Sequence, residues 1–137
     1  MQEKINESNL FDIATSMLQR AYVPYSNFPV GAVLLGQNGK TYTGCNVENA
    51  SYGLTNCAER TAIFKAVSEG ETKFSALLIT GKTKEPIEPC GACRQVISEF
   101  CEPNMPVYLT NQTGKQITVS VKKLLPGAFD QGDMDNE

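Results

Sequence analysis

Histidine is absent from the 137 residues, and so is tryptophan. Without histidine, Ser-His-Asp and Cys-His catalysis are excluded, together with every imidazole metal ligand. Without tryptophan, the commonest indole platform for a base or sugar is missing. Positive charge is not in excess either: Lys plus Arg total 12 against 15 for Asp plus Glu, a formal net charge of −3. A chain that grips polyanionic nucleic acid usually carries a basic surplus, so that partner is disfavoured. Part of the acidity is local, because Asp130, Asp133, Asp135 and Glu137 crowd the end of the sequence. Residues 130–137 accordingly read as a frayed acidic tail. The longest apolar stretch, Val30 to Leu35, is far too short to span a bilayer. The first residues, Met1 to Glu7, are polar and lack the apolar core of a secretion signal. A reducing, cytoplasmic setting with no membrane partner is therefore expected. In that setting grouped cysteines suggest metal or catalysis before disulfides.

What remains is an ordinary globular composition, 41% hydrophobic and 20% charged, with no repeat or Pro/Ser-rich linker to divide it. One domain over residues 1–137 is expected. Leu10, Phe11, Ala14, Met17, Leu18 and Ala21 recur at helical spacing, with Ser8 as a candidate N-cap. Pro24 and Pro29 then force extended backbone. Val30 to Leu35 reads as a strand buried on both faces, and Asn38-Gly39 as the turn to a return strand, Thr41 to Cys45. A helix over Cys57 to Ser68, a strand over Ala76 to Thr80 and a short helix after Pro89 follow. Two strands, Val107 to Thr110 and Gln116 to Val119, and a last helical turn from Val121 to Leu125 complete the order. Strand–helix–strand steps of this length predict a three-layer α/β/α sandwich around a five-stranded mixed sheet.

The chemistry lies in Cys90-Gly91-Ala92-Cys93, a Cys-x-x-Cys pair, and in Cys57. A redox pair, a metal site and two core thiols compete for the motif. A thioredoxin-type pair belongs after a first strand, and this one comes late. A closed structural zinc site needs four ligands, and with no histidine no fourth is suitably spaced. Three thiolates leave one coordination position open, as in a catalytic zinc site. Such a position matters when an acid/base stands beside it, and Glu59 follows Cys57 by two residues. Both cysteine segments open predicted helices, whose N-terminal N–H groups and dipoles stabilise thiolate. Taken singly, Glu59 reads more readily as a solvated first-turn glutamate aiding the helix dipole, and the combined pattern reverses that weighting.

Cys57-Ala58-Glu59 followed by Pro89-Cys90-x-x-Cys93 resembles the signature of the zinc-dependent nucleoside and nucleobase deaminases. The resemblance runs from Tyr22 to Phe129 and is closest to the small, homotetrameric, three-cysteine cytidine deaminases. Phe28 to Ala32, Cys45 to Ala50, Asn56 to Ala62 and Pro89 to Gln95 carry it. It implies a cytidine deaminase-like fold and one Zn²⁺ per subunit, held by Cys57, Cys90 and Cys93. It also implies Glu59 as the group that moves every proton in converting cytidine or 2′-deoxycytidine to the uracil nucleoside and ammonia, as a step in pyrimidine salvage.

Substrate contacts follow from the same resemblance: Phe28 on the pyrimidine face, Asn46 and Glu48 on the ribose, and Ala50, Tyr52, Ala58 and Phe129 around them. Phe129 and Ala50 are expected to serve a neighbouring subunit's site. Asn46 and Glu48 lie one strand period apart and are expected to point the same way. A carboxylate there accepts from a free 3′-hydroxyl and repels a 3′-phosphate, which fits a nucleoside rather than a polynucleotide. Three thiolates on a divalent ion leave a net charge of −1. Arg60, three residues after Cys57 on one helix, is expected to offset it by donating to the sulfurs. Cys45 and Cys101 read as buried small hydrophobes. A blasticidin-type or free-base deaminase, a nucleic-acid editing deaminase and a non-catalytic zinc module are the rival readings.

Overall fold

In a computed structural model describing residues 5–129, the elements run α1 (Glu7–Ser16), β1 (Val30–Gly36), β2 (Thr41–Cys45), α2 (Ala58–Ser68), β3 (Phe74–Gly81), α3 (Gly91–Phe100), β4 (Pro106–Thr110), β5 (Gln116–Ser120) and α4 (Val121–Leu124). The expected order holds. The acidic tail lies outside the described residues. The first helix is capped earlier than expected: Asn6 Oδ1 accepts from Asn9 N–H at 3.0 Å, and Ser8 falls inside the first turn. Asn6 sits three residues before a free first-turn N–H, which is the spacing a short side-chain acceptor needs. The helix also ends sooner, at Ser16, and tightens into a 3₁₀ turn over Met17–Arg20.

The five strands form one mixed sheet in the order β2-β1-β3-β4-β5. The β1–β2, β1–β3 and β4–β5 pairs are antiparallel and β3–β4 is parallel. On one face, Leu10 and Ala14 of α1 pack against Val33, Ala76, Leu78 and Tyr108. On the other, Ala62 and Ile63 of α2, Ile97 of α3 and Leu124 of α4 cover Ala32, Leu34, Leu77, Ile79, Val107 and Leu109. Helices on both faces of one sheet make the three-layer sandwich expected from the strand–helix alternation.

Two glycines set how closely the helices approach. A Cβ at Gly31 would lie 2.1 Å from the Ala14 carbonyl oxygen, and one at Gly44 would lie 2.2 Å from that of Ala58. With hydrogen at those positions α1 and α2 rest directly on β1 and β2. Because β2 and β3 are each antiparallel to β1, they run the same way, and the helices that follow them start at the same end of the sheet. The carboxyl ends of strands in an open α/β sheet are where clefts form. The first turns of α2 and α3 meet there.

Candidate metal centre and substrate cleft

Cys57 and Cys90 are the N-cap residues of α2 and α3, both in extended conformation, and Cys93 lies in the first turn of α3. Their carbonyls accept from Thr61 and Arg94 N–H, each at 3.0 Å, so each helix begins its ladder at a cysteine. The sulfurs converge: Cys57 Sγ is 3.8 Å from Cys90 Sγ, Cys90 Sγ is 3.5 Å from Cys93 Sγ, and all three lie within 4.8 Å of one another. Thiolates about 2.3 Å from a tetrahedral zinc sit roughly 3.8 Å apart. The spacing therefore fits a zinc ion, and three soft sulfur donors fit its preference. Cys93 is buried, Cys57 is half-buried and Cys90 is exposed, so the centre opens outward on one side.

Hydrogen bonding at the cluster favours a thiolate at Cys57, and the same contact pushes the Cys93 thiol up. Hydrogen bonding from Cys93, then from Arg60 and Cys90, brings the Cys57 thiol down to about 5 against the opposing effect of burial. Arg60 Nη2 donates to Cys57 Sγ at 3.3 Å and lies 3.5 Å from the Thr55 carbonyl. Glu59 is only 4% exposed. Burial pushes its carboxyl up to about 7, and its own backbone N–H pulls against that. A carboxyl poised there can hold a proton or release it near neutral pH.

A family model described as the cytidine and deoxycytidylate deaminase zinc-binding region matches residues 4–109. The chain belongs to that family. This deaminase is 60% identical over 116 residues to a cytidine deaminase of Sporosarcina psychrophila, covering 85% of each chain. It is 55% identical to that of Halalkalibacterium halodurans over 85% of its own length and 88% of the relative's. The crystal structure of a cytidine deaminase from Burkholderia pseudomallei superposes with a TM-score of 0.89 at 50% identity, covering 91% of this chain and all of that one. Family and geometry together make it a hydrolytic deaminase whose cofactor is zinc.

Beside the thiols of the deaminase, Asn46 and Glu48 both reach into the segment from Tyr22 to Val30. Asn46 Oδ1 accepts from Val30 N–H at 2.9 Å, and its Nδ2 donates to the Phe28 carbonyl at 2.8 Å. Glu48 Oε1 accepts from the N–H groups of Tyr25 and Ser26, each at 3.1 Å, and its Oε2 accepts from Ser26 Oγ. These donors, the Ser26 hydroxyl first, hold the Glu48 carboxyl below its usual range. Val47 between them pairs with Tyr22 on one side and Asn56 on the other, which ties this segment to the start of α2.

The remaining expected residues are scattered around this core. Phe28 is 39% exposed, and Ala58 is fully buried. Ala50 and Tyr52 sit on an exposed loop, Tyr52 at 88% and opening a 3₁₀ turn over Tyr52–Leu54. Phe129 is 60% exposed, its carbonyl accepting from Gln95 Nε2 at 3.0 Å. A 510 Å³ cavity beside Lys82, Lys84 and Lys115 and a 960 Å³ cavity beneath Leu10 and Met105 both miss the thiols. The exposed Cys90 leaves the centre open to solvent on one side.

Two residues that organise the site escaped sequence reading. Ser26 holds Glu48, and Arg94 donates through Nε to the Pro89 carbonyl at 2.9 Å and through Nη1 to that of Leu124 at 2.8 Å. Arg94 thereby fastens the turn before Cys90 to the end of α4. For Ser26, the only signal in the sequence is its place between two prolines, where a hydroxyl commonly ties a turn.

Proposed function

We propose that this chain is a zinc-dependent cytidine deaminase, converting cytidine and 2′-deoxycytidine with water to uridine and 2′-deoxyuridine plus ammonia. The observation that carries the reading is the closing triangle of Cys57, Cys90 and Cys93 sulfurs with a buried carboxyl, Glu59, two residues from the first of them. When bound, zinc supplies the Lewis acidity that makes a water nucleophilic near neutral pH. Glu59 takes a proton from the attacking water and places it on ring N3, which makes C4 electrophilic. The water oxygen bonds to C4. Glu59 then carries the remaining proton from that oxygen to the exocyclic amine, the C4–N4 bond breaks, and ammonia leaves. A carboxyl raised to about 7 suits both the accepting and the donating steps. Arg60 offsets the surplus negative charge of three thiolates through its contact with Cys57 Sγ.

Selection belongs to the neighbouring residues. A carboxylate offers about four acceptor positions, and three donors already occupy Glu48. One position remains for a ribose hydroxyl. The second N–H of Asn46 Nδ2 can donate to the same oxygen, so a free 3′-hydroxyl is matched as donor and acceptor. A 3′-phosphate would meet the Glu48 charge and be refused. Phe28 offers an exposed ring to the pyrimidine face. Exposed aromatic side chains at Tyr22, Phe28, Tyr52 and Phe129 support assembly with further subunits, and the family resemblance makes that assembly a homotetramer whose subunits complete one another's sites. On this reading the chain is a single domain of this kind. Five free thiols support a reducing, cytoplasmic setting, where turning cytidine into uridine would serve pyrimidine salvage.

The test is an ultraviolet assay of the purified chain on cytidine, 2′-deoxycytidine, cytosine and blasticidin S, alongside Glu59→Gln. The two nucleosides should be turned over, and Glu59→Gln should lower kcat by about a thousandfold with zinc retained. Bound zinc without turnover of any of the four would leave a binding module and defeat the reading.

A further inference from the structure

The segment from Tyr22 to Val30 is built around a residue with no assigned role. We propose that Ser26 is a positioning residue for nucleoside selection, fixing the plane of the Glu48 carboxylate so that its free acceptor position faces the sugar. This rests on Glu48 being the group that accepts from the ribose.

The geometry gives Ser26 two jobs at once. Its Oγ accepts from Phe28 N–H at 3.0 Å and donates to Glu48 Oε2. A hydroxyl has one proton, and with Phe28 N–H on its oxygen that proton is directed to the carboxylate. The two backbone donors from Tyr25 and Ser26 both land on Oε1. They pin one oxygen and leave the carboxylate free to rotate about it, because the terminal torsion of glutamate is broad. Only the Ser26 hydroxyl holds the second oxygen among the described residues.

Asn27 makes this closure possible. It is the one non-glycine residue with positive φ among those described, at 56°. A left-handed residue there turns the chain so that Phe28 N–H looks back at Ser26 Oγ. A turn hydrogen bond from Asn27 N–H to the Val23 carbonyl at 2.9 Å secures it. Asparagine tolerates this conformation better than other side-chain-bearing residues. The segment is therefore set before substrate arrives, and the ring of Phe28 and the carboxylate of Glu48 are set together.

Steady-state kinetics of Ser26→Ala, Ser26→Thr, Glu48→Ala and the Ser26→Ala/Glu48→Ala double variant test this, with cytidine and 3′-deoxycytidine as substrates and thermal melts as a folding control. Ser26→Ala should raise KM for cytidine about tenfold, with kcat changed less than about twofold. Ser26→Thr, which keeps the hydroxyl, should restore KM to within about threefold. KM for 3′-deoxycytidine should be unmoved by Ser26→Ala, and adding it to Glu48→Ala should change nothing further. Equal losses on both substrates, or additive losses in the double variant, would overturn the proposal by showing that Ser26 acts through Phe28 or the general fold. If Glu48→Ala discriminates between the substrates and Ser26→Ala does not, Ser26 fails and the ribose reading stands. If Glu48→Ala does not discriminate, the ribose reading itself fails and carries Ser26 with it.

Discussion

The thiol cluster and the segment from Tyr22 to Val30 are linked through Val47, which pairs with Tyr22 and with Asn56, yet they are held by opposite means. Cys57, Glu59, Cys90 and Cys93 stand at the starts of two helices whose inner faces are buried against the sheet, and Glu59 and Cys93 are themselves buried. Tyr25, Ser26 and Phe28 are exposed and owe their places to hydrogen bonds with two side chains, Asn46 and Glu48, and the exposed Asn27 is held by the Val23 carbonyl. On the proposed reading, the groups that make and break bonds sit on rigid elements, and the groups that choose the substrate sit on a braced loop. Catalytic geometry tolerates little displacement, and a secondary-structure scaffold supplies that precision. A loop can be matched to a ligand without moving the chemistry.

The hardest blow falls on the rigid half. Cys93→Ser removes the buried donor of the triangle, and both zinc and turnover should be lost, turnover by more than about a thousandfold. Cys101→Ser, at another buried thiol outside the cluster, should keep both. Metal analysis and the cytidine assay read the contrast. Loss of zinc from Cys101→Ser would mean that the triangle is not a self-sufficient site.

Next comes Arg60→Ala, which leaves the three donors in place and removes the cation 3.3 Å from Cys57 Sγ. Turnover should fall about 10- to 100-fold, with weaker zinc retention on dialysis against a chelator. Wild-type turnover with full zinc would show that the helix N-termini alone carry the surplus charge.

These two halves also differ in how far the sequence disclosed them. Cys57-Ala58-Glu59 and Cys90-x-x-Cys93 are short-range patterns, and a helix start turns such spacing directly into spatial proximity. The strand and helix order was legible for the same reason, from periodicity along each element. Ser26 and Glu48 are 22 residues apart, and Asn46 bonds Phe28 and Val30 at 18 and 16. No periodicity encodes such pairings, so Asn46 and Glu48 were readable only through family resemblance, and Ser26 and Arg94 were not read at all. The Asn6 cap was missed more simply: Asn6 and Ser8 are both competent acceptors, and the sequence does not rank them.

Gly44→Ala probes the junction between the halves with a smaller effect. The added methyl would meet the Ala58 carbonyl oxygen at 2.2 Å and Ala62 N at 2.6 Å, both helix backbone, so α2 must move as a body. A loss of about 1–3 kcal/mol in denaturant unfolding is expected. Because α2 carries Cys57 and Glu59, kcat should fall with stability. A destabilised variant with unchanged kcat would show that α2 can shift without disturbing the chemistry, which would break the claim that rigidity serves it.

The gentlest test falls on the braced loop. At φ 56°, Asn27 occupies a conformation that costs a β-branched residue about 1–2 kcal/mol and costs glycine nothing. Asn27→Gly should keep stability within about 0.5 kcal/mol, and Asn27→Val should lose about 1 kcal/mol in denaturant unfolding. Their kinetics carry the sharper information. If the left-handed turn exists to bring Phe28 N–H back to Ser26 Oγ, Asn27→Val should raise KM for cytidine a few fold and leave kcat nearly intact. A stability loss without that rise in KM would assign the turn to folding alone, and selection would no longer depend on how the loop is braced.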